Sequence, residues 1–206
     1  MKNTEVELKY HIEYEESETI LYQVKRYLSI YDMTEEKLKA VYYDTPNNIL
    51  LKRQIAFRIR KEGKNTSATV KAHGAYKNGI FSRKEWNMNI NDKEVVDIKN
   101  ILLKIELGES LEEAINNQIL VPKVITEFAR KKKEIETGEC LIELAFDKGE
   151  VITECGRERF CELELELLKG SQSCLETFGK DLSLKFKLKP QPVSKYERGL
   201  RLLGLI

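Results

Sequence analysis

From Glu5 to Tyr14 the chain alternates without a break. Glu5, Glu7, Lys9, His11 and Glu13 fall on one side, and Val6, Leu8, Tyr10, Ile12 and Tyr14 on the other. A period of two belongs to an extended strand, whose successive side chains leave opposite faces. Strands are also expected at Lys39–Asp44, Ile55–Lys61, Ser67–Ala72 and Ile80–Ile90, then at Val121–Ile135, Cys140–Asp147 and Glu158–Leu168. Ser183–Lys189 alternates once more. Elsewhere the period lengthens to that of a helix. Ile20, Val24, Tyr27, Leu28 and Tyr31 form one stripe, with Ser17 able to cap it. Further helices are predicted from Asp92, over Ser110–Gln118, over Ser171–Leu182 and over Ser194–Leu203. Turns are expected at Thr45-Pro46-Asn47-Asn48, Gly63–Thr66, Gly74–Gly79, Thr137-Gly138 and Lys148-Gly149.

The sum is about eight antiparallel strands in two groups, each followed by helices, with no linker between them. One α+β domain over residues 1–206 is expected. A closed eight-stranded antiparallel β-barrel suits it, because closure removes the strand edges and leaves room for side chains or one small ligand.

Charge sharpens the picture only when it is sorted by strand. The 206 residues are 33% charged, with 35 basic and 34 acidic side chains and a net charge of +1. That balance advertises no general affinity for nucleic acid or an anionic membrane. No apolar run approaches the roughly 20 residues that cross a bilayer. No secretion signal opens the chain, so a cytoplasmic protein is expected. The cysteines Cys140, Cys155, Cys161 and Cys174 lack C-x-x-C spacing and read as reduced, semi-buried thiols. His11 and His73 stand too far apart to suggest a histidine metal site.

Within the strands, charges collect by sign. Glu5 and Glu7 are acidic, Arg58 and Arg60 basic, and Glu162, Glu164 and Glu166 acidic again opposite Leu163, Leu165 and Leu167. A single E-x-E or R-x-R is most often a solvated strand face. Rows of one sign repel themselves, however, and several such rows imply that something answers each repulsion. If the apolar sides carry the helices, the charges point inward. Such a charged lumen suits a polyanion gripped by Arg and Lys and held through a divalent metal by carboxylates.

The ordered set resembles the CYTH superfamily, the triphosphate tunnel metalloenzymes. The likeness rests on Glu5-Val6-Glu7-Leu8-Lys9, Tyr43-Asp44-Thr45, Phe57-Arg58-Ile59-Arg60, Thr69-Val70-Lys71, Arg83 to Trp86, Arg130, Asp147-Lys148-Gly149, Glu162 to Glu166 and Ser194 to Gly199. The resemblance implies an eight-stranded tunnel, dependence on Mg²⁺ or Mn²⁺, and a small-molecule triphosphate substrate. It implies a metal seat at Glu5, Glu7, Glu164 and Glu166, with Glu162 extending the row. Lys9, Arg58, Arg60, Lys71, Arg83, Arg130 and Lys195 are implied to grip phosphates, with Lys132 and Lys185 as further cations. Glu85 and Asp147 are implied to hold a second metal or orient the attacking water. Asn87 stands where many relatives carry another carboxylate, and Trp86 has the parity of outward packing.

The implied activity is hydrolysis of the terminal phosphoanhydride, with inorganic triphosphate the expected substrate. A class IV-type adenylyl cyclase or a thiamine triphosphatase shares the fold. A polyphosphate- or nucleotide-binding module without turnover is the reading of a different class. The sequence leaves oligomeric state open.

Overall fold

Nine strands form one antiparallel sheet that closes on itself. The computed structural model describes residues 4–77, 79–90, 115 and 118–206. The strands are β1 (Thr4–His11), β2 (Thr34–Asp44), β3 (Ile55–Glu62), β4 (Asn65–Lys77), β5 (Ile80–Ile90), β6 (Val121–Glu136), β7 (Leu141–Thr153), β8 (Gly156–Lys169) and β9 (Lys189–Pro190). Their order is β5-β4-β3-β2-β6-β7-β8-β1, and β1 pairs back to β5, so eight strands complete a barrel. The short β9 adds to β1 at Tyr10 and His11. The described helices are α1 (Ser17–Leu28), α2 (Ile49–Lys52), α3 (Gln172–Phe186) and α4 (Lys195–Leu202). The helix expected from Asp92, and all of that over Ser110–Gln118 except Ile115 and Gln118, lie outside the described residues.

Alternation sorts the side chains into three apolar zones. Leu8, Tyr10, Leu144, Phe146, Leu163 and Leu165 look outward from β1, β7 and β8, against Leu21 and Val24 of α1 and Leu175 and Leu182 of α3. Phe57, Ala68 and Val70 do the same on β3 and β4, under Leu50 of α2, with Trp86 packed beside them as its parity requires. The third zone is different. Leu38, Ala40, Tyr42, Val124, Phe128, Val151 and Phe160 share the side of the charged rows, and they pack against Tyr196 and Leu200 of α4. The last helix therefore presses its apolar face onto lumen-facing residues and fills one end of the barrel.

Two glycines permit these approaches. A Cβ on Gly149 would meet the Glu127 carbonyl oxygen at 2.1 Å, which explains why this β7 residue beside β6 carries no side chain. On α4, a Cβ at Gly199 would meet the Val124 methyls at 2.3 and 2.5 Å. Ser194 accepts from the Glu197 amide while the Glu197 carboxylate accepts from the Ser194 amide, a reciprocal cap that fixes where α4 begins.

Several local expectations are corrected. Lys148-Gly149 lies inside β7; the hairpin turns instead at Glu154-Cys155. The alternation of Ser183–Lys189 is the end of α3 followed by β9, since Leu182 is buried against the barrel and holds the segment helical. β4 runs on to Lys77 through an irregularity between Ala72 and Ala75, rather than stopping before Gly74. Ser17 does not cap α1: its hydroxyl donates to the Tyr14 carbonyl and accepts from Lys148. Leu21 replaces Tyr27 and Tyr31 in the buried stripe, and both tyrosines are exposed. Finally, Cys140 and Cys174 form a disulfide between the start of β7 and the first turn of α3. Cys155 and Cys161 are free. The two partners are 34 residues apart in sequence and lack any motif spacing, so only the fold reveals that they meet.

Gly199→Ala tests the plug. It is expected to lower stability by roughly 1–3 kcal/mol through overpacking, read by chemical denaturation, and adding Val124→Ala is expected to recover part of that loss.

Candidate active site

The charged rows meet in one cavity of about 130 Å³ inside the barrel. Lys9, Arg58, Arg60, Lys71, Arg83, Arg130 and Lys195 line it together with Glu5, Glu7, Glu85, Glu143, Glu164 and Glu166. Register explains the convergence. Glu7 stands opposite Glu166, Lys9 opposite Glu164 and Glu5 opposite Arg83, while Lys71 faces Glu85. Each lies on the same face as its partner. β3 and β8 stand four places apart in the eight-stranded ring, so Arg58 and Arg60 look across the lumen at the glutamate row.

Most of these charges are paired. Glu5 accepts from Lys71 at 2.8 Å and from Arg83 at 2.7 Å. Arg83 also donates to Glu7 at 2.6 Å, and Lys9 lies 3.3 Å from Glu7. Lys71 reaches Glu85 at 2.6 Å, and Asn87 donates to the other oxygen of Glu85 at 2.6 Å. At the deeper end Arg130 holds both oxygens of Asp147, at 2.7 and 2.6 Å, and also contacts Glu164. Lys195, delivered by the capped start of α4, reaches Asp147, Glu162 and Glu164 at 2.8, 2.8 and 2.7 Å. Burial alone would raise the Glu5 and Glu164 carboxyls, yet their cationic partners hold both well below the usual carboxylate range.

Two places are left unbalanced. Among the described residues, neither Arg58 nor Arg60 is ion-paired to a carboxylate. Arg58 stands opposite Tyr42 across the β2–β3 ladder, and although burial works to raise that phenol, the charges of Arg58 and Arg60 pull it below its ordinary value. Burial, then the neighbouring Arg58 and Arg130, pushes Arg60 down to about 10. Across the lumen, burial and the charges of Glu5, Glu7 and Glu85 push Glu166 up to about 7, with Lys71 opposing. One wall is short of negative charge and the facing wall is short of positive charge.

The sequence-predicted residues divide accordingly. All of them line the cavity except Asp147, Glu162, Lys132 and Lys185. Asp147 and Glu162 are fully buried behind Arg130 and Lys195, so Glu85 and Asp147 are not brought together on its wall. Lys132 lies off the wall among Glu36, Glu62 and Glu143. Lys185 is exposed on α3 above Tyr27. Sequence reading missed Glu143, although its parity with Asp147 on the same strand was available. It also missed Tyr42, whose membership depends on its register with Arg58. Tyr43-Asp44-Thr45 contributes structure instead: the buried Asp44 accepts from the amides of Thr45, Leu50 and Leu51 and so starts α2.

A CYTH domain model matches residues 3–200. The chain is 31% identical over 203 residues to an inorganic triphosphatase of Haemophilus influenzae, covering 97% of this chain and 55% of that protein. It thus spans about half the length of the curated relative. Its fold is similar to HpAC1 from Hippeastrum, described as having a dominant triphosphatase activity, with a TM-score of 0.70 at 16% identity over 98% of this chain and 97% of that one. It is also similar to the RNA triphosphatase domain of a mimivirus mRNA capping enzyme, with a TM-score of 0.56 at 12% identity over 90% and 89% of the two chains.

The crowding around Glu166 has a pH signature. Below about pH 4.5 the carboxyl is protonated whether the chain is folded or not, and the crowding costs nothing. The cost grows as pH rises from there and is complete above about pH 7. Without added metal, Glu166→Gln is expected to be more stable than wild type by roughly 1–3 kcal/mol at pH 8, and to lose that advantage at pH 4. Denaturation at the two pH values measures it.

Proposed function

Because the chain belongs to the CYTH domain family, we propose that it is a metal-dependent triphosphatase cleaving the terminal phosphoanhydride of a triphosphate, with inorganic triphosphate its simplest substrate. The observation that carries this reading is the unmatched Arg58–Arg60 pair facing an overcrowded glutamate row within one enclosed space. A cavity of about 130 Å³ falls below the roughly 300 Å³ typical of drug-sized ligands, which favours a compact, highly charged occupant.

The donor chemistry fits a hard divalent cation. Glu5, Glu7, Glu164 and Glu166 supply carboxylate oxygens from two adjacent strands, and Glu166 is the one whose charge lacks an answer. Among the described residues no three acidic, His or Cys side chains are yet gathered into a ready cage. Lys71, Arg83, Arg130 and Lys195 occupy three of those carboxylates instead, and the arrival of a polyanion gives these cations other partners. Mg²⁺ or Mn²⁺ held by the four glutamates would supply charge neutralisation and Lewis acidity at phosphoryl oxygens.

The chain's own residues do the rest. Arg58 and Arg60 grip phosphate oxygens bidentately from one wall, and Lys9, Lys71, Arg83, Arg130 and Lys195 neutralise charge from the others. Glu85, fixed by Lys71 and Asn87, is placed to accept a hydrogen bond from the attacking water. Asp147 and Glu162 act as positioning residues, holding Arg130 and Lys195 in the lumen. Phosphoryl transfer asks mainly for such alignment and charge stabilisation, so no covalent nucleophile is needed.

The test is phosphate release from inorganic triphosphate. Activity is expected with Mg²⁺ or Mn²⁺ and none after chelation, and Arg58→Ala or Arg60→Ala is expected to lower kcat/KM about 100-fold while the variants stay folded. Release of cyclic AMP and pyrophosphate from ATP, or triphosphate binding without turnover under every metal tried, contradicts the proposal.

A further inference from the structure

The disulfide between β7 and α3 lies beside an open groove on the outside of the barrel. The groove measures about 440 Å³, and Cys174 walls it together with Thr137, Glu139, Ser173, Thr177 and Asp181, all five of them exposed. Cys140 takes no part in that wall. It is buried under the link from β8 to α3, where a Cβ on Gly170 would meet the Cys140 Cβ and the Glu139 carbonyl oxygen at 2.6 Å each. One sulfur of the bond thus borders the groove and the other is shielded. The Thr137 hydroxyl stands 3.2 Å from the Cys140 sulfur and 3.4 Å from that of Cys174, close enough to donate to a departing Cys140 thiolate. Cys174 occupies the first turn of α3, where Ser171 accepts from its amide, and a helix start favours a thiolate there. The groove carries two carboxylates, Glu139 and Asp181, and among the described residues no cation.

Independently of the triphosphate reading, we propose that Cys140–Cys174 is a reversible thiol-exchange site, opened in the folded protein by a small cationic aminothiol that enters this groove. In the first step the aminothiol's thiolate bonds to Cys174 Sγ, the Cys140–Cys174 bond breaks, and Cys140 leaves with the electron pair and takes up a proton. In the second, another aminothiol attacks the outer sulfur of the adduct. Cys174 leaves and is protonated, and the two aminothiols depart as their own disulfide. The cysteine pair gains two electrons and the aminothiols lose two. Charge selects the reagent, since Glu139 and Asp181 attract an ammonium and repel an anionic thiol. The consequence is local. Opening frees the first turn of α3 from the β6–β7 turn, while Leu175 and Leu182 still hold the helix on the barrel. A Cβ at Gly179 would meet Leu8 at 2.3 Å, so α3 lies directly on the back of the strand that carries Glu5, Glu7 and Lys9. The state of the pair sets how firmly the helix braces that strand.

The test compares cysteamine with mercaptoacetate as reductants of the folded full chain carrying Cys155→Ser, which removes the exposed free thiol. Each rate is divided by that of the same thiol on hydroxyethyl disulfide, so intrinsic reactivity cancels. On this scale cysteamine is expected to open the pair roughly three- to tenfold faster in low salt, and Glu139→Gln is expected to shrink the preference. Peptide mapping of quenched samples is expected to place the first adduct on Cys174. Amide exchange over residues 174–178 is expected to quicken roughly tenfold on opening, and cystamine is expected to restore the bond and the slow exchange. Opening only where denaturant unfolds the chain, a first adduct on Cys140, equal relative rates for the two thiols, exchange unchanged on opening, or a bond that cystamine does not re-form each overturns the proposal.

Discussion

The interior of this barrel is held at an electrostatic imbalance between facing walls. On β3, Arg58 and Arg60 stand together without an ion-paired carboxylate among the described residues, and burial, then the charges of Arg58 and Arg130, lower Arg60's affinity for its proton. On β8 and β1, Glu166 is crowded by burial and by Glu5 and Glu7 until it holds its proton near neutrality. The charges of Glu85 and Glu5 reach Arg58 only across the lumen, without a salt bridge among the described residues. A cation on the acidic side and an anion on the basic side relieve both. Like charges gathered at half-buried positions of one lumen are an unusual arrangement to maintain, and a polyanion bound with its counter-cation is the occupant that matches it.

What maintains the arrangement is the apolar matter around it. The outward faces of β1, β7 and β8 are fixed against α1 and α3, and those of β3 and β4 against α2. A slip of one residue would exchange the leucines of β8 for its glutamates, so the greasy exterior pins the charged register. The far end is closed by α4, whose apolar face meets Val124 and Phe128 and whose first residue, Lys195, enters the ion network. The reciprocal cap of Ser194 and Glu197 sets that position. Burying Asp147 and Glu162 behind Lys195 and Arg130 makes these cations rigid, since withdrawing either one would strand a carboxylate away from water.

Much of this was legible in the sequence because it depends on parity. Alternation placed Glu5, Arg58, Lys71, Glu85 and Glu164 on the polar side of their strands, and all of them line the cavity. Glu162 and Asp147 have the same parity, yet lie deeper, behind two cations. Parity gives the face but not the depth along a tilted barrel, which is set by register between distant strands. The same limit hid Tyr42, whose neighbour Arg58 comes from another strand. It hid the disulfide too, because Cys140 and Cys174 are joined by where α3 packs rather than by spacing. Alternation misled at Ser183–Lys189, where a helix end happens to imitate a strand. The sequence predicted a helix over Ser194–Leu203 but not its role as a plug, which only contact with Val124, Tyr42 and Phe160 shows.

The account stands or falls on whether the two walls bind their occupants together. Calorimetric titration with a non-hydrolysable imidotriphosphate, in the presence and absence of Mg²⁺, measures that coupling, which linkage requires to be equal in both directions. The account predicts that each ligand tightens the other, and that Arg60→Ala weakens the imidotriphosphate while Glu166→Gln weakens Mg²⁺. Independent binding of the two, or imidotriphosphate affinity indifferent to Arg60, would contradict it.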